Sequence, residues 1–316
     1  MKKSKKTPFF LILFVTFILI WIIAYDFYFR YDVNKKISSF VRFNSSVHYK
    51  RTIFLTYDDG PSNDGKVYGD TQVNNIFLKN AITDIIPDYN FHITPTENLL
   101  NILKASNITA LFFISGISFD ASENGTHQIQ RIINENHKIG NHFYSHKKST
   151  AESIEWILED MTKAHNLIKQ LTHIPINIYR PPYGDWNLKL SKKVWKNEVL
   201  KDYIFPMMWT NDFNDWHPFD NPQLARQIQR QVTEFLKNNI NKSGRIVLLH
   251  DPYIYSVLVT AELIRQAPQY GFTIEDIETL IKAWKENINY YIKSPYLYYI
   301  SDRLGQLKEN ITFIIN

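Results

Sequence analysis

No cysteine occurs in the 316 residues. That excludes a disulfide framework and a thiolate metal site, and it suits an oxidising compartment without requiring one. The chain also lacks an internal repeat and a low-complexity tract. A dense basic stripe is missing too. The formal charge is +5, but four of those charges are Lys2, Lys3, Lys5 and Lys6, so the remainder carries about +1. Nucleic acid is therefore not an expected partner, and no obligate protein partner is evident. The length leaves room for one large catalytic domain plus extras, since a barrel of over about 200 residues is commonly one domain.

What is present begins with Thr7 to Tyr25, a charge-free stretch of 19 residues rich in Phe, Leu, Ile and Val. At about 1.5 Å per residue it just crosses a hydrocarbon core of about 30 Å. It ends in bulky aromatics with no small-residue cleavage site, so an uncleaved anchor is expected rather than a cleaved signal peptide. The lysines before it favour a cytoplasmic N-terminus. The expected order is a basic tail at 1–7, a transmembrane signal-anchor helix at 8–25 and a membrane-proximal stalk at 26–50. The location that follows is a single-pass protein of the cell membrane with its catalytic domain outside the cytoplasm.

Five polar segments follow apolar runs: Thr56 to Pro61, His142 to His146, Arg180 to Gly184, Asp212 to Trp216, and Leu248 to Asp251. Arg180 to Asp215 is 35 residues, Asp215 to His250 is 35, and His142 to Arg180 is 38. A strand, its returning helix and their loops take about that length. Polar residues recurring once per βα unit at strand ends read as the active site of an α/β barrel. Buried strands are expected at Ile53–Leu55, Ala110–Ile114, Lys138–Gly140, Asn177–Tyr179, Phe205–Trp209 and Arg245–Leu249. Helical patterns are clearest at 152–171 and 221–239.

The residue types suit amide hydrolysis by a metal-bound water, which needs a base for the water and an acid for the leaving amine. His142 and His146, spaced i, i+4, would share one side of a helical turn. With one carboxylate they make a three-ligand site with open positions, as in catalytic zinc. Asp58 and Asp59 are adjacent and point to opposite sides of an extended chain, so they can do different jobs. Arg180 offers a permanent planar cation for a carboxylate. His250 needs a carboxylate neighbour to stay protonated as an acid. Taken singly, the Asp-Asp turn, the histidine pair and the lone His250 read more readily as a solvated turn, surface histidines and a structural histidine; the set of five points to chemistry.

In motif content and order, residues 50–282 resemble the polysaccharide deacetylases, the NodB-homology group of carbohydrate esterase family 4. The resemblance implies a distorted (β/α) barrel of seven strands, preceded here by the transmembrane helix. It implies Asp59, His142 and His146 as ligands of one divalent metal ion, zinc first, with cobalt or nickel as alternatives. It matches Asp58 to the general base, Arg180 to its orienting cation, His250 to the general acid and Asp215 to that acid's partner. The amide of Tyr183 would meet the developing oxyanion, Pro181 and Pro182 having none. Trp216 would wall the sugar groove and Leu248 would line the acetyl pocket. Phe143 stands where the family usually has Ser or Thr, Lys147 where Pro is frequent, and Tyr57 where Phe is usual.

The expected activity is removal of N-acetyl groups from GlcNAc-type sugars of an extracytoplasmic polysaccharide, peptidoglycan first. Alternatives are a lipid-linked sugar precursor, a chitin or poly-GlcNAc oligomer, and a non-catalytic glycan-binding relative. Two features exceed the family pattern. The stretch 62–96 is a polar, turn-rich insertion after the Asp58-Asp59 pair, expected to border the substrate groove. Residues 283–316 continue past the domain as an expected helical extension.

Overall fold

The structure, a computed structural model, describes residues 50–62, 82–83, 85–87, 94–122, 124–204, 206–216, 224–242 and 244–292. The basic tail, the anchor helix at 8–25, nearly all of the stalk, most of the insertion and the extension beyond 292 lie outside the described residues. Among the described residues no helix is long and apolar enough to cross a membrane. Those up to Ile288 fall in one compact unit.

The elements alternate: β1 (Thr52–Gly60), α1 (Pro95–Ala105), β2 (Leu111–Ile114), α2 (Gly116–Ala121), α3 (Gly125–Asn134), β3 (Lys138–Asn141) and α4 (Ile154–Thr172). Then come α5 (Leu188–Val194), β4 (Asn211–Asp212), α6 (Leu224–Asn239), β5 (Arg245–His250), α7 (Ile254–Gln266), β6 (Thr273–Ile274) and α8 (Ile277–Ile292). All pairings are parallel, in the order β3-β2-β1-β5-β4, with β6 beside the start of β1. Strands covered on both faces read as unbroken apolar runs, and Ile246 to Leu249 is one.

The sheet closes into a ring through two extended segments. Asn141 donates its N–H to Ile178 at 2.9 Å, Met207 donates to Tyr179 at 2.9 Å, and Thr210 donates to Ile246 at 2.9 Å. Six strands form among the described residues, and 177–180 takes a further place with a single bridge, Asn141 to Tyr179. The strands expected at 177–179 and 205–209 are thus not regular ladders. Pro175, Pro181, Pro182 and Pro206 remove the donors that a continuous ladder needs. Regular pairing with β5 starts only at Asn211.

Alternate residues divide between the ring's two faces. Ile53, Leu55 and Tyr57 of β1, Phe112 and Ile114 of β2, and Val247 and Leu249 of β5 join the apolar core beneath the helices. Burial of each such side chain contributes about 1.5–3 kcal/mol. The other set, including Thr56, Asp58 and Phe113, meets Arg180. Gly140 of β3 permits a close approach there, since a Cβ would lie 2.4 Å from the Phe113 ring.

The helices follow their caps and stripes. Thr94 caps α1 by accepting from Glu97, and Pro95 sits where its missing N–H costs nothing. Ser153 caps α4, which buries Ile157, Met161, Ala164 and Ile168 along one face and ends at a left-handed His173. Helix α8 runs through residue 282, the boundary drawn from the sequence.

Candidate active site

The first two carboxylates sit on a distorted strand end. The register of β1 against β2 shifts between Tyr57 and Gly60, and Asp59 has φ +69°. Such a bulge re-aims side chains. Simple alternation would send Asp58 and Asp59 to opposite sides, but both reach one imidazole. His142 Nε2 is 3.7 Å from Asp58 Oδ2 and 3.1 Å from Asp59 Oδ1.

The segment His142 to His146 is a loop, not the expected helical turn. Asn141 Oδ1 accepts the Phe143 N–H at 2.7 Å. Asp160 of α4 accepts the N–H groups of Tyr144 and Ser145 at 3.0 and 3.2 Å. These side chains replace helical carbonyls and hold Phe143 and His146 at φ +65° and +52°. The loop then brings His146 Nε2 to 2.9 Å from Asp59 Oδ1. Phe143 itself is buried against Trp186, turned into the apolar core.

Arg180 is fully buried. Its Nη1 donates to Asp58 Oδ1 at 2.7 Å and to Thr56 Oγ1 at 2.9 Å, and its Nε donates to the Met207 carbonyl at 2.7 Å. The guanidinium also stacks over the Phe113 ring at 4.2 Å. Burial lowers its pKa, opposed by the charge and hydrogen bond of Asp58.

Asp215 is buried beside His250. Its Oδ1 lies 2.7 Å from His250 Nδ1, and its Oδ2 accepts the His250 N–H at 2.6 Å and the hydroxyl of Ser256. Burial pulls the imidazole down, but the hydrogen bond and charge of Asp215, with Asp59 and Asp58 beyond, push it up to about 9. His250 is the register partner of Asp58 across β1 and β5. The two groups therefore stand side by side.

Tyr183 occupies the short turn Pro182–Gly184 at φ +60° and is 60% exposed, its ring 4.8 Å from that of His146. A half-exposed Trp216 follows Asp215, while Leu248 is buried two residues before His250 and so on its face of β5. Sequence reasoning missed Thr56, Asn141, Asp160 and Ser256, which hold the predicted residues by hydrogen bonds. Nothing local marks such residues; only the fold brings them near.

Among the described residues, Asp59, His142 and His146 form the group whose ligand atoms converge, all within 4.8 Å of one another. His142 Nδ1 lies 2.7 Å from the Arg180 carbonyl, which can only accept, so Nδ1 carries a proton and Nε2 is the ring nitrogen that faces Asp59. Asp59 Oδ1 is buried and has no well-formed hydrogen bond. Burial alone would raise the Asp59 pKa, but the two imidazoles hold it well below the usual carboxylate range. Two imidazoles and a carboxylate around an orphaned oxygen fit a divalent cation with open positions.

Residues 46–199 match the family model described as polysaccharide deacetylase. The chain is 22% identical over 237 residues to the peptidoglycan-N-acetylmuramic acid deacetylase PdaC of Bacillus subtilis, covering 75% of this chain and 40% of that protein. It is 23% identical over 231 residues to the peptidoglycan-N-acetylglucosamine deacetylase PgdA of Listeria monocytogenes, covering 73% and 39%. The chain thus spans less than half the length of these two curated relatives. The solved structure of B. subtilis PdaC aligns with TM-score 0.52 at 20% identity, covering 78% of this chain and 98% of that one. At that identity the likeness speaks for the fold alone. Residues 46–199 thus carry a polysaccharide deacetylase domain of the NodB type, and the parallel α/β ring is the fold that goes with it.

Proposed function

We propose that this chain is a metal-dependent N-deacetylase of N-acetylated amino sugars in an extracytoplasmic polysaccharide, with peptidoglycan as the first substrate. One observation carries this reading. Asp58 paired with Arg180 and His250 paired with Asp215 are cross-strand neighbours, beside the converging Asp59, His142 and His146. A carboxylate paired with arginine thus stands next to an imidazole that Asp215 keeps protonated, which is the division between base and acid.

A divalent ion held by Asp59, His142 and His146 would supply polarisation of the acetyl carbonyl and acidification of a water. Asp58 takes a proton from the attacking water, with Arg180 holding its carboxylate in place. The Tyr183 amide donates to the developing oxyanion. Protonated His250 gives its proton to the leaving nitrogen as the C–N bond breaks, so acetate and a free amino sugar are the products. Tyr183 and Trp216 offer ring faces to the sugar, and Leu248 accommodates the acetyl methyl.

The named relatives act on both peptidoglycan sugars, which supports the wall as substrate and leaves the two sugars to experiment. Acetate release from peptidoglycan fragments carrying N-acetyl groups on one sugar or the other, from chitin oligomers and from acetylated xylan, with and without chelator, tests the reading. Chelator-sensitive release from a peptidoglycan fragment is expected. No release from any member of the panel would sink it. The charge-free stretch 7–25 supports a membrane anchor with the domain outside the cytoplasm. A reporter active only in the cytoplasm, fused to Asn316, is expected to stay silent; a signal overturns that topology.

A further inference from the structure

Three buried polar side chains meet beneath the turn that carries Asp58 and Asp59. Thr96 Oγ1 is their hub. It accepts the Ser62 N–H at 2.8 Å, lies 2.6 Å from Ser62 Oγ and donates to Asp251 Oδ1 at 2.7 Å. In return the Thr96 N–H donates to Ser62 Oγ at 3.1 Å. Burial pushes the Asp251 carboxyl up to about 7; in its ionised form it only accepts, and the protons then run from the Ser62 hydroxyl to Thr96 and from the Thr96 hydroxyl to Asp251.

Asp251 passes this grip to the turn. Its N–H donates to the Asp58 carbonyl at 2.8 Å. Its Oδ2 rests so near Gly60 that a Cβ there would come within 1.9 Å. On the far side, Ser115 donates its N–H to the Gly60 carbonyl at 3.1 Å. Between these holds sits Asp59 at φ +69°, a conformation that a residue other than glycine keeps only when its surroundings over-determine it. Ser62 and Thr96 are also the two ends of the inserted stretch. One clasp therefore closes the neck of the insertion and fastens it to β5 next to His250.

We propose that Thr96 is a positioning residue for Asp59: through Ser62 and Asp251 it fixes the left-handed turn that aims Asp59 Oδ1 at His142 and His146. This rests on the metal-site reading above. A tie serving only to close the insertion would change stability and leave metal affinity alone.

The test is Co²⁺ titration of the full chain at neutral pH, followed by the visible absorption of the bound ion, with thermal unfolding of the metal-free protein in parallel. Thr96→Val, nearly isosteric, is expected to weaken Co²⁺ binding about 10–100-fold, the usual loss when a group supporting a ligand is removed. Thr96→Ser keeps the hydroxyl and is expected to bind as the wild type does. A Thr96→Val value within twofold of wild type overturns the proposal, and so does an equal loss in Thr96→Ser. Should Thr96→Val fail to fold, Ser62→Ala removes one arm of the clasp and is expected to weaken binding several-fold; an unchanged value there is equally fatal. Wild type that binds no Co²⁺ sinks the metal-site reading and this inference together, whereas binding by wild type with unaltered variants sinks this inference alone.

Discussion

The carbonyl of Arg180 accepts the Nδ1–H of His142 at 2.7 Å while its guanidinium pairs with Asp58 at 2.7 Å. One residue thus orients a candidate metal ligand through its backbone and holds the candidate base through its side chain. The two jobs are separable, because substitution changes only the second.

Arg180→Met is therefore expected to leave Co²⁺ affinity near wild type while activity falls sharply. It strands a buried carboxylate, which costs about 3–5 kcal/mol. Urea unfolding gives the stability and metal titration the affinity. A stable, active variant would remove the Asp58–Arg180 pair from both roles.

Activity is expected to fall as pH rises through about 9, where His250 loses the proton it donates. Asp215 is the main group raising that value against burial, so Asp215→Asn should move the alkaline limb to lower pH as well as reduce the rate. A divalent ion neutralising Asp59 would also bring the limb down. The profile of kcat/KM against pH for both proteins checks this, and an unshifted limb excludes Asp215 from setting the acid.

Chelation should abolish acetate release, and added Zn²⁺ or Co²⁺ should restore it. His146→Ala is expected to cost at least about tenfold in metal affinity, since a two-ligand site remains. Full activity of a protein shown by elemental analysis to be metal-free would refute the metal dependence.

His137 lies far from this chemistry and gives a stability prediction. It is buried, its Nδ1 accepts the Ala110 N–H at 3.1 Å, and burial lowers its pKa from 6.5 to about 4. Between those values the unfolded chain binds the extra proton, so stability is full above about 6.5 and is lost as pH falls toward 4. The loss amounts to about 3 kcal/mol. His137→Asn, which keeps an acceptor for Ala110, should flatten that acid slope in urea unfolding measured from pH 7 to pH 4; an unaltered slope would assign it to other groups.

Much of the fold is legible in the chain because buried parallel strands must be apolar and their turns must carry breakers. Ile53–Leu55, Ala110–Ile114 and Ile246–Leu249 read directly. The segments 177–179 and 205–209 read as strands by hydropathy, but the prolines in and around them withhold donors, and hydropathy does not register a missing N–H. Thr273–Ile274 was too short to stand out from the loop around it. The i, i+4 spacing of His142 and His146 suits a helical turn, whereas Asp160, from a helix that follows, stabilises a loop instead.

The sequence alone determined which residue types are available and in what order: two carboxylates, two histidines, an arginine, then Asp215 and His250, each after an apolar run. Residue identity and spacing carry that information because side-chain chemistry is local. Only the tertiary structure decided which of them meet. Asp58 and Asp59 reach the same imidazole because a bulge turns the second. Asp58 and His250, 192 residues apart, become neighbours because β1 and β5 pair in one register. Thr96 grips the turn before Ser62 because Asp251, just past the end of β5, supplies the third point of contact. Those contacts are made across the ring, where hydrogen-bond geometry between distant segments, not sequence proximity, sets the partners.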